Sequence, residues 1–223
     1  MAAGRRDVVV VGGSAGAVEV LREVLPRLPG DFEAAIAVTL HRPPSVVSSL
    51  ASLLDRKSRL PVVEPEQGQS FRPGRVYLAP PDRHMTVFDG TVQLNRQPPQ
   101  HFSRPAIDPL FRSAAISYRG RTIGVLLTGN LGDGASGLSE IKQQGGLALV
   151  QDPAQARFPA MPQNALVQGH VDLVFRAEAL AYLLDKLVQG ESIASAAATE
   201  GTRPVRPADT VLPRWLLPGR HLP

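Results

Sequence analysis

The chain has no cysteine among its 223 residues. It therefore has no disulfide framework, no thiolate zinc site and no cysteine nucleophile, an absence that is typical of a cytoplasmic protein. Aromatic residues make up only 5% of the chain and its arginines are scattered, so we do not expect nucleic-acid binding. The net charge of +4 is mild and indicates a feature of solubility rather than a polyanion-binding surface.

Long apolar runs are also missing. No stretch is long enough to span a membrane, and the polar segment Met1 to Asp7 lacks the apolar part of a secretory signal. The five histidines lie far apart without the spacing of a zinc site, so we expect no metal and no cofactor. What remains is the composition of a globular protein, 43% hydrophobic and 20% charged, without membrane insertion.

Buried strands alternate with amphipathic helices along most of the chain. Strands are predicted at residues 8–11, 34–40, 61–64, 75–79, 122–128, 147–150 and 171–175. Ser45 is the expected N-cap of the second helix, and Asp108, followed by Pro109, that of the third. Asp89-Gly90 between two alternating runs predicts a β-hairpin. The pattern indicates an α/β fold: a doubly wound, mostly parallel sheet with helices on both faces and one antiparallel β-hairpin.

The periodic pattern ends near Gly190. Residues 1–190 are therefore predicted to form one domain, followed by an Ala-, Pro- and Arg-rich tail, residues 191–223, that we expect to be mobile. Within this tail, Trp215-Leu216-Leu217 is an apolar segment that could dock on the domain or on a partner.

A serine occupies the turn between the first strand and the first helix. Val8 to Val11 is a run of β-branched residues, and Gly12-Gly13-Ser14-Ala15-Gly16 follows it with the G-x-S-x-G spacing of a nucleophile elbow. In an open α/β sheet, ligands bind at the carboxyl ends of strands, where helix N-termini also attract negative charge. Ser14 is thus a nucleophile, a phosphate-loop residue or a turn residue.

Two further residues follow strands in the same way. His41 follows the second strand, and Asp133 lies in the glycine-rich loop after the strand that begins at Thr122. If these strands are neighbours, an imidazole can take the serine proton and a buried carboxylate can orient the imidazole. The local pattern alone does not select the acid, since Asp82, Asp108 and Asp152 compete with Asp133.

A dinucleotide site is disfavoured by the same residues. It would need G-x-G-x-x-G and an acidic residue at the end of the second strand. Ser14 occupies the second glycine position, Ala17 the third, and His41 ends the second strand. This arrangement favours a base facing Ser14.

Ordered blocks of residues extend the pattern over nearly all of Asp7 to Val188. They lie at residues 11–17, 38–44, 73–85, 104–111, 127–129 with 133–137, 151–152 and 161–162. In these blocks the chain resembles the catalytic domain of the chemotaxis receptor protein-glutamate methylesterases, the CheB type. The resemblance implies a triad with Ser14 as nucleophile, His41 as base and Asp133 as the orienting acid.

The resemblance also implies a reaction and a partner. The reaction is hydrolysis of γ-glutamyl methyl esters on chemoreceptor helices with release of methanol, and deamidation of receptor glutamines is a secondary activity of the family. The backbone groups of Ala15 and Asn130 are the expected oxyanion donors. Typical members carry an N-terminal receiver domain, whereas this chain begins at the catalytic domain, so we expect a stand-alone form that leaves room for a separate regulatory protein.

The chain departs from the family pattern at four positions. Ala15 stands where threonine is usual, Ala17 where glycine is, Leu40 where glutamine is, and Asn130 where methionine is. No triad member is affected, but these positions bear on the rate, the oxyanion geometry and the choice of receptor. The alternatives are a serine esterase or amidase of the same fold with another substrate, and a non-catalytic regulatory or binding module.

Overall fold

The computed structural model describes residues 5–43 and 49–211. An eight-stranded sheet runs through it in the order β10-β9-β8-β7-β1-β2-β4-β3, and a separate two-stranded sheet pairs β5 with β6. The strands are β1 (Val8–Gly13), β2 (Ala35–Leu40), β3 (Val62–Val63), β4 (Arg75–Leu78), β5 (His84–Phe88), β6 (Thr91–Asn95), β7 (Thr122–Leu126), β8 (Leu147–Gln151), β9 (Leu173–Phe175) and β10 (Thr202–Pro204).

Seven α-helices accompany the strands in the described part of the chain. They are α1 (Ala17–Val24), α2 (Leu50–Asp55), α3 (Ile107–Tyr118), α4 (Ala135–Gln143), α5 (Ala160–Val167), α6 (Leu180–Val188) and α7 (Ile193–Ala197). All neighbouring strands of the large sheet are parallel except β9 and β10. The predicted α/β fold with a mostly parallel sheet and one antiparallel hairpin is confirmed.

The two faces of the sheet are covered by different helices. Val9 and Val11 of β1 belong to a core that includes α1 and α6, whereas Val8 and Val10 belong to one that includes α3, α4 and the hairpin. All six residues of β1 are buried, as expected for a central parallel strand. The helices therefore lie on both faces, as in doubly wound folds.

The strand order changes direction at β1. From β1 the chain continues into β2 on one side, while β7, on the other side of β1, is reached only much later in the sequence. Such a switch point opens a crevice at the carboxyl ends of the strands. Ser14, His41 and Asp133 follow β1, β2 and β7 respectively, so all three approach this crevice.

Of the two predicted helix caps, one lies outside the described residues and one differs from the structure. Helix α2 begins at Leu50, and the predicted cap Ser45, with Val46 and Val47, lies outside the described residues. The predicted N-cap Asp108 is wrong, because α3 begins at Ile107 and Ala106 is its N-cap. The carboxylate of Asp108 is instead used by another helix, as its hydrogen bonds below explain.

The segment after Gly190 contains more regular structure than the sequence pattern indicates. Helix α7 lies in it, β10 pairs antiparallel with β9, and residues 207–210 form a 3-10 turn. These residues are held by ion pairs and by backbone pairing, and neither kind of contact requires a periodic pattern of apolar residues in the sequence. The segment Trp215-Leu216-Leu217 lies outside the described residues. Among the helices that the structure describes, none has the length and apolar character needed to cross a bilayer.

Candidate active site

Ser14 is held in a tight turn between β1 and α1. Its N–H donates to the Thr128 carbonyl at 3.0 Å, and its carbonyl accepts the N–H of Ala17 at 3.1 Å. Gly16, the N-cap of α1, has a φ of 81°, which glycine adopts without strain. A Cβ on Gly129 would lie 2.8 Å from the Ser14 Cβ, so the loop after β7 packs directly against the serine.

His41 lies beside Ser14 because their strands pair in register. Gly13 of β1 is opposite Leu40 of β2, and the His41 N–H donates to the Gly13 carbonyl at 3.2 Å. The imidazole Nε2 is 2.7 Å from Asp133 Oδ2. With Nε2 engaged by the carboxylate, Nδ1 is the ring nitrogen available to a nucleophile.

The next residue anchors the end of β2. Arg42 donates to Glu64 Oε1 at 3.0 Å and also to the Ala79 carbonyl just after β4. The Arg42 side chain is 9% exposed, so the ion pair is well shielded from solvent. These contacts tie the strand end that carries His41 to its neighbour.

Asp133 is fully buried and accepts three hydrogen bonds. One comes from His41, and the others come from the backbone N–H groups of Ile107 at 2.7 Å and Asp108 at 3.0 Å, both in the first turn of α3. Burial alone would raise the pKa of Asp133, but the hydrogen bonds from His41 and the two amides outweigh it and hold the pKa below its usual range. The carboxylate therefore stays ionised and can orient the imidazole.

The competing aspartates have other partners. Asp82 pairs with Arg104 at 2.6 Å, Asp152 lies 3.5 Å from Arg203, and Asp108 is buried against the start of α4. Asp133 is the one of these four that hydrogen-bonds His41 within the described ranges. The hydrogen-bond geometry therefore favours Asp133 among the four aspartates that the local sequence pattern left open.

One cluster of side chains in the described residues has the donor types of a cation site. A ring nitrogen of His101 and one carboxylate oxygen each of Asp108 and Asp133 lie within 4.8 Å of one another. However, Asp133 accepts a backbone N–H on each oxygen and Asp108 accepts two on Oδ1, while Asp108 Oδ2 faces His101 and the positively charged Arg112. This donor set fits helix capping better than metal ligation.

The backbone around Ser14 offers donors for an oxyanion. The N–H of Gly129 is already bonded to the Phe158 carbonyl, which leaves the amides of Ala15 and Asn130 on the two sides of the crevice. Ala15 follows the serine directly, next to the first turn of α1, and Asn130 is exposed at the tip of the β7 loop. Their role as oxyanion donors stays a prediction.

Comparisons with known proteins identify the family of the chain. A protein-family model described as CheB methylesterase matches residues 9–184. The chain belongs to the CheB methylesterase family. The catalytic domain of the Thermotoga maritima CheB methylesterase, solved by crystallography, superposes with a TM-score of 0.78 at 36% identity and covers 82% of this chain and 99% of that one.

Relatives of the CheB family cover much of the chain. The protein-glutamate methylesterase/protein-glutamine glutaminase 2 of Anaeromyxobacter dehalogenans is 42% identical over 187 residues, 84% of this chain and 55% of that protein. A Leptospira interrogans relative is 36% identical and covers 82% of this chain and 95% of its own. The chain thus spans about half the length of the first relative and nearly all of the second.

Sequence reasoning missed several residues of this CheB-family site. The sequence pattern predicts Asp108 as the N-cap of its own helix or as a competing acid, and it indicates neither His101 nor the packing of Met161 against the Gly129 loop. His101 carries no local signal, whereas Met161 lies in one of the blocks that resemble the family, although that block does not indicate its contact with the Gly129 loop. The Asp-Pro pair at 108–109 did mark a helix start, but not which helix the carboxylate would cap.

Proposed function

We propose that the protein is a serine hydrolase that demethylates γ-glutamyl methyl esters on chemoreceptor-type proteins and deamidates glutamines at the same kind of position. The observation that carries the proposal is the 2.7 Å hydrogen bond between His41 and the buried Asp133, set beside a serine at a strand-to-helix turn. Family membership and the names of the relatives support the same activity.

Ser14 is the nucleophile in this mechanism. His41 takes the Oγ proton on Nδ1 while its Nε2–H donates to Asp133, whose negative charge stabilises the imidazolium. Oγ attacks the γ-carbonyl carbon of the glutamyl ester and forms a tetrahedral oxyanion. One well-placed backbone donor to such an oxyanion is worth about 3 kcal/mol, and Ala15 and Asn130 are the proposed donors.

Collapse of the tetrahedral species breaks the bond to the methoxy group. The proton on His41 goes to that oxygen, so methanol leaves and an acyl ester remains on Ser14. Water then attacks the acyl carbon with His41 as base, the bond between that carbon and Ser14 Oγ breaks, and His41 returns the proton to Oγ as the glutamate carboxylate is released. With a glutamine substrate the leaving group is ammonia and the second half is the same.

The partner implied by this chemistry is a helical receptor segment that presents a modified glutamate. Chemoreceptor methylation segments face the cytoplasm, so the proposal places the protein there. A separate regulatory protein is a second proposed partner.

The test is methanol release from a receptor carrying labelled methyl esters. The wild type is expected to release labelled methanol, and Ser14→Ala is expected to lower the rate by at least about 1,000-fold, since the remaining site cannot form the acyl enzyme. Ser139→Ala is the matched control, because Ser139 bonds the side chain of Gln143 on α4. Methanol release by Ser14→Ala at the wild-type rate would disprove the mechanism.

A fluorophosphonate probe separates this proposal from its alternatives. Labelling of Ser14 without receptor demethylation would favour an esterase or amidase with another substrate. Failure of the folded protein to react would favour a non-catalytic module.

A further inference from the structure

We infer that Asp108 is a positioning residue for the reaction, which holds the loop of Asp133 in place through a reciprocal cap. The reciprocal cap is the pair Asp108 and Asp133, each of which caps the helix that begins beside the other. The catalytic part of this inference rests on the proposed function, whereas the geometric part concerns the His41–Asp133 hydrogen bond alone.

The first half of the reciprocal cap is made by Asp108. Its side chain is fully buried, and Oδ1 accepts the N–H of Gly134 at 3.1 Å and that of Gly137 at 2.8 Å. Gly134 is the N-cap of α4, and Gly137 lies in its first turn. These amides belong to the group that a helix cannot satisfy internally, so Asp108 supplies what α4 lacks at its start.

The second half is made by Asp133. Its carboxylate accepts the N–H groups of Ile107 and Asp108, the first two residues of α3. Residue 108 thus donates its own backbone N–H to Asp133 while its side chain binds the residue after Asp133. A shift of either helix start would stretch hydrogen bonds on both sides, so the two helices fix each other's position.

Close packing of the helices makes this arrangement possible. A Cβ on Gly137 would lie 2.4 Å from the Phe111 Cβ, so α4 can approach α3 this closely only with glycine there. Gly134 has a φ of 92°, which turns the chain from Asp133 into α4. The peptide that follows Asp133 is therefore held by the positive-φ turn at Gly134 and by the Asp108 carboxylate.

The second carboxylate oxygen of Asp108 contacts two basic side chains that lie towards solvent. Oδ2 lies 3.2 Å from His101 Nε2 and 3.2 Å from an Arg112 nitrogen, and both of these side chains are partly exposed. The contacts of Oδ1 that hold the reciprocal cap need only an oxygen acceptor. An asparagine can supply that acceptor, whereas an alanine cannot.

The steady-state test compares three substitutions of residue 108. Asp108→Ala is expected to lower kcat by about 10- to 100-fold with KM within about 2-fold, because the triad is displaced while the substrate surface is unchanged. Asp108→Asn is expected to recover most of this loss. Asp108→Glu keeps the charge but moves the oxygens by a methylene, so we expect it to be worse than Asp108→Asn, and the reverse order overturns the inference.

A matched control separates positioning from general stability. Asp172 accepts the Ala148 N–H at 2.9 Å and pairs with Lys142 at 2.7 Å, away from the triad. Asp172→Ala should therefore leave kcat unchanged below its unfolding temperature. In an Asp133→Ala background, Asp108→Ala should change kcat by less than about 2-fold, since it acts through Asp133; a full additional loss overturns the inference.

A substrate-free measurement distinguishes failure of this inference from failure of the proposed function. The His41 Nε2 proton shared with Asp133 is expected to give a downfield proton NMR signal, absent in His41→Gln. We expect Asp108→Asn to retain that signal and Asp108→Glu to shift or broaden it, even if the wild type releases no methanol. An unchanged signal in Asp108→Glu overturns the inference.

Discussion

At the scale of single residues, the turn that carries Ser14 is fixed by close packing at Gly12 and Gly13, where neighbouring atoms occupy the space that a Cβ would need. A Cβ on Gly12 would lie 2.3 Å from Ile107 Cγ2, and one on Gly13 would lie 2.6 Å from the Ala17 Cβ. Contacts this short do not occur between real side chains, so neither position accepts a side chain without movement of its neighbours. The serine is therefore positioned by packing on both sides of its strand rather than by its own hydrogen bonds alone.

Gly129→Ala tests this packing from the loop after β7, which contacts Ser14. Its Cβ would lie 2.8 Å from the Ser14 Cβ and 2.9 Å from Met161 Sδ, so the β7 loop and the serine must separate. We expect kcat to fall by about 100-fold, because small displacements of a nucleophile are costly, and stability to fall by about 1 to 3 kcal/mol. Methanol release and urea unfolding measure the two effects.

Gly30→Ala is the control for that substitution. No atom lies within 4 Å of a Cβ built on Gly30, so the variant should keep wild-type kcat. If Gly129→Ala keeps wild-type kcat as well, the packing argument is wrong.

The sequence could place two of the three site residues, but not select the third. Ser14 and His41 follow strands that the apolar pattern predicts, and the parallel pairing of β1 with β2 brings them together. Asp133 lies seven residues past β7, and its partners are on α3. The pattern of residue types does not show that the loop after β7 brings Asp133 to α3, so the family resemblance is needed to choose Asp133.

At the scale of elements, helix starts and edge strands are where pattern and structure differ. Asp-Pro is typical of an N-cap followed by the first helical position, yet here the side chain caps a different helix that packs against its own. Strand β10 is only Thr202–Pro204 and has no apolar alternation. It pairs with β9 because its backbone groups complete the sheet edge, which no local composition signals.

The segment carrying β10 is fixed by a charged cluster around Asp209. Arg203 donates to Asp209 Oδ1 at 3.1 Å, Arg206 does so at 3.1 Å, and Gln163 of α5 donates to the Asp209 carbonyl at 3.0 Å. Partial burial would raise the pKa of Asp209, but the hydrogen bonds from Arg203 and Arg206 outweigh it and hold the pKa far below its usual range. The cluster therefore ties this segment to the sheet through an ionised carboxylate.

Acid should weaken that attachment. Because the pKa of Asp209 is lower in the folded protein than its ordinary value of 3.8, its contribution to stability is complete above that value and is lost as the pH falls towards the folded pKa. Asp209→Asn is expected to cost about 1 kcal/mol near neutral pH, and the difference from wild type should shrink below about pH 3. Urea unfolding near neutral pH and below about pH 3 measures the difference in stability between Asp209→Asn and wild type. Hydrogen exchange of the β10 amides shows whether that difference arises in this segment.

Glu200→Gln provides the comparison in the same segment. Glu200 is exposed and has no hydrogen bond or ion pair in the described part of the chain. Its replacement should leave stability unchanged at both pH values. A difference for Asp209→Asn that is the same at both pH values would contradict the assignment of the effect to its titration.

At the scale of the whole molecule, the two ends of the parallel strands have different roles. We call the side of the large sheet where these strands end the carboxyl edge, and the side where they begin the amino edge. The carboxyl edge carries the candidate site, since Ser14, His41 and Asp133 all follow strand ends. The amino edge has a cavity of about 350 Å³ lined by Asp7, Arg121 and Tyr118 among others. This separation follows from parallel pairing, which directs all strands of the large sheet except β10 the same way. It is also why the alternation of strands and helices is sufficient to predict the architecture.

The Arg121–Asp7 pair tests whether the amino edge is purely structural. Arg121 donates to both carboxylate oxygens of Asp7 at 2.8 Å and lies over the Tyr118 ring at 5.5 Å. Asp7 is 12% exposed and Arg121 54%, so solvent screening limits the contribution of the pair to about 1 kcal/mol. Arg121→Gln should therefore lower the free energy of unfolding by about that amount, as measured by urea titration.

The same substitution should leave catalysis unchanged. Strand β1 separates Asp7 from Ser14, and its rise of about 3.3 Å per residue places the pair roughly 20 Å from the nucleophile. We therefore expect wild-type kcat and KM for Arg121→Gln at a temperature where it is folded, and a double substitution with Asp7→Asn that costs little more than either change alone. A fall in kcat without loss of stability would show that the amino edge is coupled to the triad through β1, because that fully buried strand is the direct connection between the two edges.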